Sequence, residues 1–469
     1  MSLWQPWLER DPKQVALSHA GQTLTWQVLD SQVAHYAKAL REQGVRSGEV
    51  VTLVGKNHLP TVLWFLACTQ VGALCAFLAP QPLARLQEKL ATLYAEQSPK
   101  HLWLAPSCAL SEEEITALNA HRLSLPDERD ESVGGEKVSS QFSCEQLATL
   151  IFTSGSTGTP KAVTHTHQQH LASARGLLNK FAFTESDSWL LSLPLYHISG
   201  VAILYRWLAV GATLKIGTGD LQNDIAGVTH ASLVPTQLKR LLDGRSRLTL
   251  KRVLLGGSHI PVELAQMAAT RGIDTWLGYG MTEAASTVTA KRVDGLAGNG
   301  ELLDHRELRL VDGRIFIAGK TLAQGYYRQG QLVPLTNEQG WFDSKDLGRW
   351  QGNNLLIDGR ADNLFISGGE NVHCEEIEAV LNQHPHVQVA IVIPVQDSEF
   401  GARPVAVIRS EAEWCQAIGD TWCQAKLEKF KWPIMYFLLP DALLDGGIKV
   451  SRAAVKAWLA ANQTQFTPL

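Results

Sequence analysis

Leu29, Val33, Tyr36 and Leu40 recur at i, i+4, i+7 and i+11, the spacing of one helical face, and Gly44 closes the run. Residues 49–54 then read as a short strand. The stretch 61–80, TVLWFLACTQVGALCAFLAP, is apolar enough to raise the question of a membrane span, but Thr69, Gln70 and Gly72 break it near its middle. Half of it is shorter than the roughly 20 residues that cross a bilayer, so it predicts a buried helix followed by a buried strand, with no membrane insertion. Helices alternating with short apolar strands predict a mixed α/β sheet, an architecture common among nucleotide-handling enzymes. Residues 126–145 are charged and contain Gly134-Gly135, so they read as an exposed connection before a strand at 147–152. Near the end, 375–381 reads as a helix, 387–395 and 404–408 as strands, and Ser451 as the cap of a last helix. The pattern predicts an α/β protein with a large N-terminal domain over residues 1–359 and a small α+β domain over 360–469.

Composition narrows the classes of function. The 469 residues leave room for about three globular units, or fewer if one is large. With 45% hydrophobic and 19% charged residues the chain is ordinary for a protein with a large buried core. Its 42 Lys and Arg against 46 Asp and Glu leave a formal charge of −4, with no long run of either sign, which argues against nucleic acid and anionic membranes as partners. Seven cysteines, an odd number without a Cys-x-x-Cys pair, suggest neither a disulfide framework nor a thiolate metal site. The opening MSLWQPWLERDPKQVAL shows no basic patch followed by an apolar core, so no signal peptide is read and a cytoplasmic protein is expected.

The most informative segment is Thr153-Ser154-Gly155-Ser156-Thr157-Gly158-Thr159-Pro160-Lys161, directly after a buried strand. Two glycines free the backbone to turn N–H groups onto an anion, while the flanking hydroxyls and the Lys161 ammonium add donors and charge. The spacing is not that of a Walker A loop, and an isolated Ser/Gly cluster is also found as a plain turn. The segment is, however, the first of an ordered series: Leu193-Pro194-Leu195-Tyr196-His197, Gly256-Gly257-Ser258, Tyr279-Gly280-Met281-Thr282-Glu283, Trp341-Phe342-Asp343-Ser344-Lys345-Asp346-Leu347-Gly348, Gly359-Arg360-Ala361-Asp362, Ser367-Gly368-Gly369-Glu370-Asn371 and Gly447-Ile448-Lys449-Val450-Ser451-Arg452. In identity and order these blocks resemble the acyl-adenylate-forming superfamily, which includes acyl- and aryl-CoA ligases, peptide-synthetase adenylation domains and luciferases.

The resemblance implies MgATP as co-substrate, with CoA or a carrier-protein pantetheine as acceptor. Glu283 is a hard oxygen ligand suited to Mg²⁺ on the triphosphate, and Thr282 can donate to the α-phosphate; a solvated glutamate is the plainer alternative. Tyr279 offers a ring face for adenine, with Gly256 and Gly257 leaving room and Gly280 counted with the nucleotide site, although a lone Tyr is more often core. Asp346 suits the ribose hydroxyls and Arg360 the same sugar or a phosphate; a salt bridge between the two is the alternative. Lys449 is the candidate for adenylation, since an ammonium can bridge the attacking carboxylate and the α-phosphate. The resemblance further implies a mobile C-terminal domain that turns about Asp362 after adenylation and brings Gly368-Gly369 to the incoming thiol. His197 lines the acyl or thiol tunnel, or is a satisfied core histidine. Two departures stand out: Ser344-Lys345-Asp346 where the family usually has Thr-Gly-Asp, and Ile448 between Gly447 and Lys449.

The wording of LLSLPLYHISG, YRWLAVGA, GRADNLFISGGENVHCEEIE and LLDGGIKVSR is similar to one branch, the o-succinylbenzoate–CoA ligases of menaquinone synthesis. That likeness implies a dianionic acid, activated at its succinyl carboxylate. Arg206, inside the apolar run VAILYRWLAV, supports it on physical grounds, because an unpaired buried charge would cost several kcal/mol. The expectation is that Arg206 faces the benzoate carboxylate, with Ser232, Thr287 and Gly278 beside it; an internal Asp or Glu, or a side chain reaching water, is the rival. Another aryl- or acyl-CoA ligase, or an enzyme loading a carrier protein, is the alternative activity. The partners expected are small molecules, and the sequence leaves a homo-oligomer open.

Overall fold

The computed structural model describes residues 2–126, 142–153, 160–244, 247–256, 260–367, 369–424, 426–445 and 449–462. The helical stripe at 29–40 lies in the helix Trp26–Glu42, where the Thr25 hydroxyl caps the first turn by accepting from the Val28 N–H at 3.3 Å. The apolar run 61–80 becomes the helix Leu59–Val71 and the strand Leu74–Leu78. Thr69 and Gln70 fall in the last turn of this helix, where the Thr69 hydroxyl donates to the Leu66 carbonyl at 2.6 Å. The helix ends at Gly72, one of the residues expected to break the run, whose φ of +79° is the left-handed conformation that ends a helix cheaply only with glycine. Most of the expected connection at 126–145 lies outside the described residues.

Among the described residues, an eight-stranded sheet runs in the order Gln331–Val333, Gly325–Arg328, Lys161–Thr166, Leu147–Thr153, Leu74–Leu78, Val50–Val54, His101–Leu104, His121–Arg122. Its strands Val50–Val54 and Leu74–Leu78 are parallel and buried throughout, which is why they read as continuous apolar runs. A nine-stranded sheet has the parallel strands Asp274–Met281, Arg252–Leu255, His230–Leu233, Ser188–Leu190 and Thr213–Ile216 side by side. The helices Trp26–Glu42, Leu59–Val71, His167–Leu178 and Ile198–Val210 share one core with both sheets, drawing Val51, Phe77 and Ile151 from one and Leu17, Trp189 and Leu214 from the other. Leu59–Val71 and Ile198–Val210 are buried on nearly every side, as the lack of a polar face in their sequences requires.

A four-stranded antiparallel sheet follows, in the order Arg306–Val311, Arg314–Gly319, Phe342–Gln351, Asn354–Arg360. A small C-terminal α+β unit has a five-stranded sheet built from Glu370–His373, Leu364–Ser367, Gly401–Ser410, Val387–Asp397 and Tyr436–Leu438. Its last helix, Arg452–Asn462, is capped as expected: the Ser451 hydroxyl accepts from the Ala454 N–H at 3.4 Å. Among the described residues no helix is long and apolar enough to cross a membrane.

Three imidazoles sit in the central core: His165, His167 and His170 are 0%, 2% and 1% exposed. His167 Nδ1 meets the Tyr205 hydroxyl at 2.8 Å, His170 Nε2 meets the Thr149 hydroxyl at 2.7 Å, and the His170 ring stacks on Tyr205 at 4.4 Å. Burial pushes His165 and His167 down to about 3, and His170 well below the usual histidine range. Because these folded-state values lie below the unfolded one, the stability they contribute is complete above about pH 6.5 and is lost as pH falls from there toward 3. The loss approaches about 1.4 kcal/mol per pH unit for each histidine. The urea midpoint, followed by tryptophan fluorescence, is therefore expected to drop steeply between pH 6.5 and 5, and His170→Gln to flatten that drop. A midpoint unchanged over this range would contradict the neutral buried triad.

Candidate active site

The strands Asp274–Met281 and Ser286–Arg292 form an antiparallel hairpin in which Gly280 faces Thr287 and Met281 faces Ser286. Thr282 and Glu283 occupy the single 3-10 turn at its tip. The strands approach closely here: a Cβ on Gly280 would overlap the Ser286 carbonyl, and one on Gly278 would stand 2.7 Å from the Thr287 methyl. The return strand starts through two left-handed residues, Ala285 (φ +52°) and Ser286 (φ +92°). For non-glycine residues that geometry costs of order 1–3 kcal/mol each, so surrounding bonds must hold it. The Ser173 hydroxyl donates to the Ala285 carbonyl at 2.5 Å, and the Ala323 N–H to the Glu283 carbonyl at 2.8 Å.

Glu283 is half-buried and accepts from the Tyr326 hydroxyl at 3.2 Å. Burial raises its carboxyl, opposed by its own backbone N–H, the Tyr326 hydroxyl and the cations Arg360 and Lys161. The Lys161 ammonium lies over the Tyr326 ring at 5.0 Å, and its strand pairs Lys161 with Thr153. The phosphate-loop residues Ser154, Gly155, Ser156, Thr157 and Gly158 lie outside the described residues, as do Gly257, Ser258 and Gly368. Gly256 follows the strand Arg252–Leu255, with nothing within 4 Å of where its Cβ would be. Among the described residues no three His, Cys, Asp or Glu side chains converge as a metal cage. A lone oxygen ligand such as Glu283 fits Mg²⁺, which is commonly held by one or two carboxylates together with nucleotide phosphates and water.

Tyr279, Asp346, Arg360 and Asp362 are brought together. The Tyr279 hydroxyl donates to Asp346 Oδ2 at 2.5 Å, and Arg360 reaches Asp346 Oδ1 at 3.1 Å and Asp362 Oδ1 at 2.9 Å. The salt bridge weighed as the alternative for Asp346 and Arg360 is thus formed. Burial raises the Asp346 carboxyl, opposed by the Tyr279 hydrogen bond and the Arg360 charge. The departure Ser344-Lys345-Asp346 is accommodated locally: Lys345 takes a left-handed φ of +61°, and the Ser344 hydroxyl accepts from the Asp346 N–H at 3.0 Å.

Arg206 projects from the helix Ile198–Val210 and is 2% exposed. Its guanidinium lies 5.2 Å from the Trp189 ring and donates to the Thr287 hydroxyl at 3.4 Å, while its Nε has no partner among the described residues. No carboxylate lies within ion-pair distance of it among the described residues, and almost none of its surface reaches solvent. Burial, with the charge of Arg306, pushes Arg206 down to about 9, so it stays cationic at neutral pH. Ser232 is 2% exposed, its hydroxyl without a partner among the described residues, on the strand that pairs with Trp189; no hydrogen bond joins it to Arg206. His197, half-buried, occupies the N-cap position of the Arg206 helix, its ring 4.9 Å from Tyr196.

Lys449 lies in the two-residue strand Lys449–Val450, opposite Asp445, and Gly369 is exposed with φ +89°. Sequence reasoning missed Tyr326, Ser173 and Arg306, whose contacts join segments far apart in the chain and leave no local pattern.

The AMP-binding enzyme family matches residues 4–327. The chain is 42% identical to the 2-succinylbenzoate–CoA ligase of Salmonella typhimurium over 98% of both chains. An arginine-to-lysine variant of Escherichia coli MenE with bound OSB-AMS superimposes with a TM-score of 0.85 at 40% identity, covering 97% of this chain and 98% of that one. The Bacillus subtilis o-succinylbenzoate CoA synthetase in complex with the acyl-adenylate intermediate OSB-AMP gives 0.84 at 27% identity, over 97% and 98%. The nucleotide-binding motifs, the hairpin that carries Glu283 and this likeness over nearly the whole length agree: the chain belongs to the AMP-binding enzyme family and, within it, to the 2-succinylbenzoate–CoA ligases.

Proposed function

We propose that this chain uses ATP to activate the succinyl carboxylate of o-succinylbenzoate and then passes the acyl group to CoA, releasing AMP and pyrophosphate. The observation that carries the choice of acid is Arg206, a cation sealed in an apolar helix with no internal counter-ion among the described residues. A second carboxylate on the substrate would supply that counter-ion, while Thr287, Ser232 and Gly278 shape the pocket around it.

In the first half-reaction a succinyl carboxylate oxygen attacks the α-phosphorus, and the bond to pyrophosphate breaks. Lys449 is assigned to the charge that builds between those oxygens, and Thr282 to the α-phosphate. Thr153, Lys161 and the loop between them hold the phosphates, Tyr279 and Gly256 the adenine, and Asp346 with Arg360 the ribose. Glu283 would hold Mg²⁺, which when bound spreads the charge of the triphosphate. In the second half-reaction the CoA sulfur attacks the acyl carbon and AMP leaves. We assign this step to a C-terminal domain beginning at residue 360 that turns about Asp362, with Gly368 and Gly369 along the thiol path and His197 at the acyl end. A cytoplasmic location suits the soluble substrates.

The test is AMP formation by the purified protein with MgATP and CoA, comparing o-succinylbenzoate with benzoate, a medium-chain fatty acid and acetate. Strong CoA-dependent AMP release with o-succinylbenzoate alone is expected. Preference for any other acid would end the assignment of substrate, and AMP release indifferent to CoA would end the assignment of acceptor.

A further inference from the structure

A second buried guanidinium stands behind the acyl pocket. Arg306, 5% exposed, forms no ion pair among the described residues and spends its donors on oxygen atoms: Nη1 on the Asp304 carbonyl at 2.7 Å, Nη2 on the Ser173 hydroxyl at 2.8 Å and the Ser173 carbonyl at 3.1 Å. Room for it is made by Gly176, inside the helix His167–Leu178, where any Cβ would collide with Nη1. A glycine within a helix is unfavourable unless a close approach needs it. The Ser173 hydroxyl, with its acceptor side filled by Arg306, points its own proton at the Ala285 carbonyl at 2.5 Å. Ala285 opens the left-handed pair Ala285–Ser286, and the next residue is Thr287, the hydroxyl that meets Arg206.

We propose that Arg306 and Ser173 are positioning residues for the acid: through the Ala285 carbonyl they hold the strained turn that sets Thr287 against Arg206. The proposal rests on o-succinylbenzoate as substrate and Arg206 as its carboxylate partner. Without the Ser173 proton the Ala285–Ser286 backbone is free to relax toward ordinary φ values, and Thr287 leaves Arg206. Glu283, on the other flank, keeps its independent anchors in Ala323 and Tyr326, so the nucleotide side is spared.

The experiment uses Ser173→Ala, a replacement that suits a helix, with Ser173→Thr to restore the hydroxyl and Arg306→Lys to keep charge but lose the forked geometry. Adenylation is measured with o-succinylbenzoate and with 4-oxo-4-phenylbutanoate, which lacks the ring carboxylate. For Ser173→Ala and Arg306→Lys we expect KM for o-succinylbenzoate to rise about tenfold, KM for ATP to stay within about twofold, and the monoanionic acid to be nearly unaffected. Ser173→Thr should recover most of the loss. Equal loss with both acids would mark a merely structural role and overturn the proposal, as would unchanged kinetics in both variants. A wild-type enzyme indifferent to the ring carboxylate would overturn it together with the reading it rests on, whereas a wild type that discriminates beside variants that discriminate equally would overturn it alone. Should Arg306→Lys fail to fold, the pair Ser173→Ala and Ser173→Thr decides.

Discussion

Replacing Arg206 by leucine is expected to cut kcat/KM for o-succinylbenzoate by about 30- to 1,000-fold, the loss of about 2–4 kcal/mol typical of a desolvated charge pair. Most of the loss should fall on KM, because the ring carboxylate is bound alike in the ground and transition states. Stability should move the other way. A guanidinium that is 2% exposed, without an acid partner among the described residues and near the second cation Arg306, opposes folding in the absence of substrate. Exchanging such a charge for an apolar side chain of similar reach is often neutral or stabilising. Tm is therefore expected to hold or rise in the variant, and the stabilisation of the wild type by added o-succinylbenzoate to disappear. A structural arginine gives the opposite signature: a lower Tm with unchanged selectivity. The two readings thus separate on a thermal melt and one pair of kinetic constants.

Arg206 was legible in the sequence because one charge in VAILYRWLAV violates the rule that apolar segments bury only paired or functional charges. The nucleotide blocks were legible for a different reason: phosphate, ribose and Mg²⁺ each accept few side-chain types, so their ligands recur in short fixed strings. The long parallel strands showed as continuous apolar runs, and the helix Trp26–Glu42 showed as a stripe. What stayed hidden depends on pairing across the fold. Ser173 and Arg306 are 133 residues apart, and neither departs from the pattern of its own segment. Tyr326 looks like any strand aromatic until the fold sets it between Glu283 and Lys161. The four-stranded sheet from Arg306–Val311 to Asn354–Arg360 was missed because the face that Phe342–Gln351 turns inward carries Ser344, Asp346 and Gly348 beside Phe342, so burial alternates along the strand while hydrophobicity does not. Within the run 61–80 the polar Thr69 stays inside the helix because a threonine can satisfy its hydroxyl on the preceding turn.

Lys449→Ala should separate the two half-reactions. Acyl-adenylate formation in a single turnover is expected to slow by about 10²–10³, the usual consequence of removing one charge-stabilising donor, while thioester formation from supplied acyl-adenylate and CoA should change by less than about threefold. The surroundings of the strand Lys449–Val450 favour this split. Three residues on, Arg452 binds Glu375 Oε1 at 3.0 Å, Glu378 Oε1 at 2.5 Å and the Val392 carbonyl at 3.3 Å, which ties the strand to the helix Cys374–Leu381 and to the five-stranded sheet. Glu375 in turn accepts from the Asn363 side-chain amide at 2.5 Å, next to Asp362. A segment anchored in this way would travel with the small domain when it turns, so the lysine would be present for the first step and withdrawn for the second. Breaking the anchor with Arg452→Met should therefore slow adenylation in the same direction as Lys449→Ala, but less, since the ammonium is loosened rather than removed. A slowing of adenylation by less than tenfold in Lys449→Ala would take the role away from that lysine, and equal losses in both half-reactions would take away its restriction to the first.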